Sequence, residues 1–228
     1  MHSSAHYRQL LARLPQIAVA ADQFQVLNSA KDFKSRILSL IAGATQRIYL
    51  IALYLQDDEA GREILSALYA AKQRNPALDI KVFVDFHRAQ RGLIGKGKQG
   101  GNHLMYQAMA ARHEHQIEIY GVPVKGRELL GVLHLKGFIF DDILLYSGAS
   151  LNDIYLHQQE RYRFDRYHQI HSQALTCSMV NYVDDVFLKS EAVQRRDRPG
   201  SPGAKQLKGQ IRRFKHNLRT SQYRFESI

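Results

Sequence analysis

A three-layer α/β domain is the fold this sequence predicts, and three observations predict it. Segments of helical and of strand periodicity alternate along residues 1–190. The chain is 45% hydrophobic and 10% aromatic, enough to cover both faces of a sheet and to exclude wholesale disorder. A single cysteine, Cys177, excludes a disulfide framework and any multi-cysteine metal site. At 228 residues the chain makes one ordinary α/β domain or two small ones.

The elements follow in order. Residues 29–43 read as a helix, with Ser29 as N-cap and Asp32 three residues on. Arg47 to Leu55 reads as a buried strand, and Asp58 to Arg74 as a second helix closed by Asn75-Pro76. Asp79 to Phe86 is a strand of β-branched and aromatic residues. Beyond a polar loop, Asn102 to Arg112 has helical spacing and Gln116 to Tyr120 that of a short strand. This alternation implies right-handed crossovers and a mixed, largely parallel sheet. Val132 to Phe140 and Ile143 to Ser147 then read as strands about Asp141-Asp142, which suits a tight hairpin. Arg161 to Ile170 reads as a strand and Ser172 to Leu188 as a helix, and the chain has no internal repeat.

Charge is unevenly placed. The chain has 32 Lys and Arg against 21 Asp and Glu, a net +11, which points to anionic partners: nucleic acid, phosphorylated metabolites or acidic lipid. From Lys189 to Ile228, 11 basic residues face three acidic ones, so this tail carries +8. The shift in composition, with Pro199-Gly200-Ser201-Pro202-Gly203, divides the chain into a domain at 1–190 and a basic linker and helix at 191–228. Leu207, Ile211, Phe214 and Leu218 form an apolar stripe on that C-terminal basic helix. Such a helix can lie on an anionic membrane through Lys208, Arg212, Arg213 and Lys215, each worth about 1 kcal/mol near the surface. The stripe is narrow for an anchor, which favours packing against the protein itself or against a second half. Phe214, Tyr223 and Phe225 show no stacking pattern, which argues against nucleic acid. The longest apolar run, Ile48 to Leu55, is too short to span a bilayer. Met1 to Leu11 lacks signal-peptide form, so a soluble or peripheral protein on the cytosolic side is expected.

The sharpest local pattern is Val132-Leu133-His134-Leu135-Lys136-Gly137-Phe138-Ile139-Phe140-Asp141. On a strand, residues two apart share a face, so His134 and Lys136 are expected to project together, with Leu133 and Leu135 opposite. A neutral imidazole can attack a phosphodiester while the ammonium supports charge on the non-bridging oxygens. Seven residues past Asp141, Gly148-Ala149-Ser150-Leu151-Asn152 make a small-residue turn offering backbone donors and an amide. The motif H-x-K-x4-D alone arises by chance in roughly a few chains per hundred. The added turn at this spacing makes an ordinary surface strand the weaker reading. A second pattern runs from Arg88 to Gly101, where five of 15 glycines fall within ten residues. There Arg88, Arg91, Lys96 and Lys98 could wrap a phosphate or pyrophosphate. The spacing matches no nucleotide fingerprint, and a flexible solvent loop reads equally well. His113-Glu114-His115 lacks metal-site spacing, so neither a metal nor a cofactor is expected. Cys177 reads as inert core.

H-x-K-x4-D followed by a glycine/asparagine turn resembles the signature of the phospholipase D superfamily. More narrowly, Gly131 to Leu156 resembles the bacterial phosphatidylserine synthases of that superfamily. Tyr120-Gly-Val-Pro123 and Tyr162-Arg-Phe-Asp165-Arg-Tyr-His168 are similar to them too, and the resemblance runs through nearly the whole chain. It implies a phospholipase D-like fold and a two-step transfer without cofactor. His134 would attack the phosphorus on the diacylglycerol side of CDP-diacylglycerol, expel CMP and form a phosphatidyl-histidine. The hydroxyl of L-serine would then take the phosphatidyl group. Lys136 and Asn152 would hold the phosphate, and Asp141 would support the loop or a partner histidine. Asp165 is the candidate carboxylate that orients the nucleophile, although a salt bridge with Arg163 or Arg166 would account for it equally. The glycine-rich loop would close over the CDP or the headgroup. The implied location is peripheral, on the cytoplasmic face of the cell membrane.

One feature departs from that family. The synthases carry two such motifs, and no other histidine here is followed by lysine at +2. Either the chain is the N-terminal half of a longer protein, the expectation favoured by its resemblance to the two-motif branch, or two copies pair as a homodimer. The second arrangement is that of single-motif nucleases and phospholipases. A basic membrane- or nucleic-acid-binding module with a dead site is the reading from another class, and His134→Ala would separate it from an enzyme.

Overall fold

The computed structural model describes residues 4–90, 100–124 and 132–223. Helix α1 (Ser4–Leu11) and strand β1 (Phe24–Leu27) lead into α2 (Ala30–Gly43), β2 (Arg47–Ile51), α3 (Glu59–Arg74) and β3 (Asp79–Asp85). Next come α4 (Phe86–Gln90), α5 (His103–Ala110), β4 (Glu118–Val122), β5 (Gly137–Phe140) and β6 (Ile143–Tyr146). The remainder is β7 (Tyr167–His171), α6 (Gln173–Val183), β8 (Gln194–Arg195) and α7 (Lys208–Thr220). Helix starts are set by local chemistry. The side chains of Ser29, Asp58 and Ser172 accept the N–H groups of Asp32, Gly61 and Leu175, each satisfying a donor that the helix itself leaves orphaned.

The strands form one sheet in the order β1-β7-β6-β5-β2-β3-β4-β8. Among the described pairs, β2–β3 and β3–β4 are parallel and the other five are antiparallel. The largely parallel sheet expected from the sequence is therefore corrected to a mixed, largely antiparallel one. Helical crossovers hold only from β2 to β4. Beyond them, Asp141-Asp142 turns β5 straight back onto β6, with Phe140 opposite Ile143 and Asp141 at φ 51. No helix lies between β5, β6 and β7, so nothing returns the chain to a parallel start.

Both faces of the sheet are covered, as expected for three layers. Alternate residues of β2 serve opposite faces. Ile48 and Leu50 join Phe33 and Ile37 of α2, Ile64 and Leu68 of α3, and Tyr106 of α5. Tyr49 and Ile51 join Val180 and Val183 of α6 and Ile211 and Phe214 of α7. The tail stripe thus docks on the protein: Phe214 is 1% exposed and its ring lies 5.9 Å from that of Phe187. Lys208, Arg212 and Arg213 face solvent on the far side and Lys215 is half-buried. Arg213 pairs with Glu191 at 2.9 Å. Phe214→Ala is expected to cost about 3–5 kcal/mol of stability. The chain has no tryptophan, so urea unfolding followed by far-UV circular dichroism is the measurement. An unmoved midpoint would show that the docking carries no energy.

Three strands are clearly shorter than the sequence suggests: β2 ends at Ile51 rather than Leu55, and two others begin late. The ladder of Val132 to Phe140 begins only at Gly137, and that of Arg161 to Ile170 only at Tyr167. In the first case the neighbour ends: Ile51, the last residue of β2, stands opposite Gly137. Cys177 is half-buried rather than core, and its Sγ accepts from the Arg47 guanidinium at 3.2 Å.

Candidate active site

Because β5 starts where β2 stops, residues 132–136 lie beyond the carboxyl end of β2, beside that of β3. Sites in α/β sheets gather at such strand ends. With no ladder partner, the backbone there is held by a side chain. Asp85, the buried last residue of β3, accepts the Leu133 N–H at 2.9 Å through Oδ2. Its Oδ1 accepts the N–H groups of His87 and Arg88 at 2.9 and 3.0 Å, which starts α4. Burial raises the Asp85 carboxyl above its ordinary range against these three donors. The segment re-enters the sheet at Gly137, whose φ is 151; a Cβ there would lie 2.7 Å from Met179 Cε. The positive φ is what requires glycine, since the flexible Met179 tip can move off a Cβ.

His134 and Lys136 do not share a strand face, which corrects the expected alternation. Leu133 and Lys136 are buried, whereas His134 and Leu135 are exposed. Period-two alternation belongs to a laddered strand, and this segment has no ladder. His134 lines a cavity of about 410 Å³ whose other walls include Ile51, Met179, Tyr182, Phe187 and Leu218. Lys136 is not among the residues lining this cavity. It is 8% exposed, and its Nζ donates to Ser150 Oγ at 3.1 Å. Burial brings its ammonium down to about 8, opposed by the nearby Asp165 carboxylate.

The Gly148–Asn152 turn is carried to Lys136 by a short parallel bridge between Leu55 and Leu151. Gln56 donates its N–H to Leu151 O at 2.9 Å, and Leu151 donates to Tyr54 O at 3.3 Å. Asn152 Nδ2 then reaches Tyr54 Oη at 3.3 Å, while its Oδ1 accepts the Tyr155 N–H at 3.0 Å. Burial raises the Tyr54 hydroxyl; Tyr155 adds to this, and a hydrogen bond with Ser150 and the charges of Arg88 and Arg163 oppose it. Asp165 accepts the Gly148 N–H at 3.2 Å. A Cβ on Gly148 would lie 2.8 Å from Asp165 Oδ2, so glycine is what lets this carboxylate close on the turn. Among the described residues, no hydrogen bond joins Asp165 to His134 and no ion pair joins it to Arg163 or Arg166. Arg166 instead donates its backbone N–H to Asp165 at 2.7 Å.

The structure therefore brings together Lys136, Ser150, Asn152, Tyr54 and Asp165, with Arg88 near Tyr54 and His134 two residues from Lys136. It does not bring Asp141 there. Five residues of extended chain carry Asp141 roughly 16 Å past Lys136, to the other end of β5. There its carboxylate accepts the N–H groups of Thr45, Gln46 and Arg47 at 2.8–2.9 Å, and the Thr45 hydroxyl at 3.1 Å. Burial pushes this carboxyl up, but the donors outweigh it and hold it below the ordinary range. Asp141 thus ties β5 to the loop before β2. Asp141→Ala is expected to lower stability by about 2 kcal/mol at pH 7. A carboxyl held low in the folded state adds stability above its ordinary pKa and loses it as pH falls through the lowered one. The difference between the two proteins should accordingly shrink below about pH 4. Equal urea midpoints at pH 7 would remove this role.

Arg91, Lys96 and Lys98 lie outside the described residues. Among those described, no group of three or more His, Cys, Asp or Glu is placed to hold a metal ion. The sequence reading missed Tyr54 and Asp85. Both stand at or just past the carboxyl end of a parallel strand, and that position was the signal that could have found them.

No protein-family model matches the chain. Over 221 residues it is 44% identical to the CDP-diacylglycerol–serine O-phosphatidyltransferase of Escherichia coli, covering 96% of this chain and 49% of that protein. The corresponding transferase of Haemophilus influenzae is 46% identical over 215 residues, covering 92% and 47%. The crystal structure of phosphatidylserine synthase from Haemophilus influenzae matches with a TM-score of 0.93 at 42% identity, covering 100% of this chain and 51% of that one. The chain is a homologue of the phosphatidylserine synthases. This synthase homologue spans about half the length of the curated relatives it matches. The resemblance to bacterial phosphatidylserine synthases drawn from His134, Lys136, Asp141 and the Gly148–Asn152 turn agrees with these relatives.

Proposed function

We propose that this synthase homologue carries the nucleophile-bearing half of a phosphatidyl transfer from CDP-diacylglycerol to L-serine. The observation that carries the reading is the position of His134, on the wall of an apolar cavity and two residues from a buried lysine in a polar cluster. One side offers room for the apolar part of a lipid donor, and the other offers donors for its phosphate. His134 attacks the phosphorus on the diacylglycerol side, a P–N bond forms, and the P–O bond to CMP breaks. The serine hydroxyl then attacks the same phosphorus, the P–N bond breaks, and His134 is returned. Lys136, Ser150 and Asn152 stabilise the phosphoryl oxygens through both steps; Asp165, which holds the Gly148 N–H in this structure, would orient the imidazole through its other ring nitrogen only by closing on it once the donor is bound. The second histidine, from a second motif supplied by a further half or by a second copy of the chain, gives a proton to the departing CMP and takes one back from the serine hydroxyl. Arg88, beside Tyr54, is the described member of the basic set assigned to the CDP phosphates, with Arg91, Lys96 and Lys98.

No described helix is long and apolar enough to cross a membrane. Contact with the lipid surface falls instead to the outward cations of α7, Lys208, Arg212 and Arg213, with the half-buried Lys215 beside them, against anionic headgroups on the cytoplasmic face. The test is CMP release from CDP-diacylglycerol in mixed micelles, with and without L-serine. Serine-stimulated release is expected. Release indifferent to serine would replace transfer by hydrolysis. Release that stays absent after a second-motif half is added would overturn the reading.

A further inference from the structure

We propose that Arg196 and the small polar cavity beside it bind a phosphate-sized oxyanion, at a place sharing none of the residues assigned above to phosphatidyl transfer. The inference stands independently of that assignment. Arg196 follows β8 and is 3% exposed. Its guanidinium lies 3.9 Å over the Phe86 ring and donates through Nη2 to Pro202 O at 3.3 Å. Its Nε is buried without a partner, and among the described residues no carboxylate pairs with it. The adjacent Arg195 shows the usual solution, bonding Glu118 at 2.7 Å and Asp197 at 2.5 Å. Asp197 gives Arg196 no relief, since its oxygens are engaged by Arg195 and by the Ile119 N–H. Burial disfavours the charged guanidinium, yet a guanidinium keeps its proton in proteins. A buried cation without a counter-charge is costly; the Phe86 ring and the Pro202 carbonyl return part of that cost, and an anion beside the guanidinium would offset more of it.

The cavity supplies the place for one. It has a volume of about 200 Å³, and Arg196 shares its wall with Gln90, His103, Gln107 and Ser201. Among the described residues that wall carries a cation, two amides, an imidazole and a hydroxyl, and no carboxylate. The His103 ring is fixed, since its Nδ1 donates to Ala89 O at 3.1 Å. The volume lies below the roughly 300–1,000 Å³ of sites for drug-sized ligands, so a single phosphoryl group fits its scale and a whole nucleotide does not. The same phosphate chemistry could come from a nucleotide, from a lipid headgroup or from free phosphate.

The test measures thermal unfolding of the full chain at constant ionic strength in rising inorganic phosphate, CMP or dihexanoyl phosphatidic acid. Phosphate is expected to raise the midpoint of the wild type. Arg196→Met keeps the apolar stem on Phe86 and removes the fork, so it should raise the apparent phosphate Kd at least about tenfold. Gln90→Glu places a carboxylate on the same wall and should abolish the response too, which keeps the question answerable if Arg196→Met does not fold. Strongest stabilisation by CMP would identify a nucleotide phosphate, by phosphatidic acid a lipid headgroup, and equal effects free phosphate. A wild type indifferent to all three anions would overturn the proposal. So would an unchanged response in Arg196→Met or, where that variant does not fold, in Gln90→Glu. If the arginine only stacks the linker on Phe86, Arg196→Met would lose stability and keep the anion response.

Discussion

Replacing His134 by alanine is expected to end phosphatidyl transfer, with a loss on the order of 10⁴-fold or more. The size of the effect follows from the two-step path. Without the imidazole no P–N bond forms, and nothing else in the site offers a neutral nitrogen two residues from the buried lysine. The side chain is exposed on the cavity wall, so its removal should leave the unfolding midpoint where it was, and lost activity cannot be charged to lost fold. The intermediate gives a second readout. Wild-type protein quenched after exposure to CDP-diacylglycerol should gain the mass of one phosphatidyl group, mapped to His134, and His134→Ala should gain none. An adduct on another residue would move the nucleophile. Asp165→Asn is a separate probe of positioning. It should lower kcat more than it changes KM and shift the pH profile of kcat, whereas a carboxylate that only braces the Gly148 turn would leave that profile in place.

Lys136→Met should have opposite effects on activity and on stability. Turnover is expected to fall about 10²–10³-fold, because the phosphoryl oxygens lose their one buried cation and its charge-assisted hydrogen bond. Stability at pH 7 should rise. The ammonium is 8% exposed and titrates at about 8 in the folded chain against 10.5 in the open. Between those values the unfolded chain binds more protons, so wild-type stability climbs as pH rises from 8 to 10.5 and is lost again as pH falls. Below pH 8 the folded protein carries a deficit of about 3 kcal/mol, the burial cost that remains after the Asp165 attraction. Methionine has nearly the same volume and no charge to bury, and the deficit disappears with it. Urea midpoints of the two proteins, measured from pH 7 to 10.5, should converge as pH rises. A variant less stable than wild type at pH 7 would mean that Lys136 braces Ser150 rather than holding a charge in reserve for the phosphate.

Read along the chain, Ser29, Asp58 and Ser172 announce their helices, because a cap bonds to an N–H two or three residues away. The apolar runs at Arg47–Leu55 and Asp79–Phe86 announce buried strands, and the stripe at Leu207, Ile211, Phe214 and Leu218 announces a helix with one apolar face. The motif names its chemistry in the same way, since imidazole, ammonium, amide and small-residue turn are properties of residue type and spacing. These features are local, and sequence by itself determined them.

What tertiary structure decided depends on partners far away in the chain. Sheet direction turned on what joined each strand to the next: helices from β2 to β4, the Asp141-Asp142 turn from β5 to β6, and a helix-free segment from β6 to β7. His134 and Lys136 went to different surroundings because β2 ends at Ile51 and leaves Val132–Lys136 without a ladder. Asp85, 48 residues earlier, holds the Leu133 N–H in its place. Asp141, one letter of the motif, was sent to the far end of β5, where three backbone N–H groups needed an acceptor. Tyr54 joined Asn152 through a bridge between segments 96 residues apart. Spacing along a chain records which groups are available, whereas an unpaired backbone donor, the end of a neighbouring strand or an uncompensated buried charge such as that of Arg196 exists only once distant segments have met.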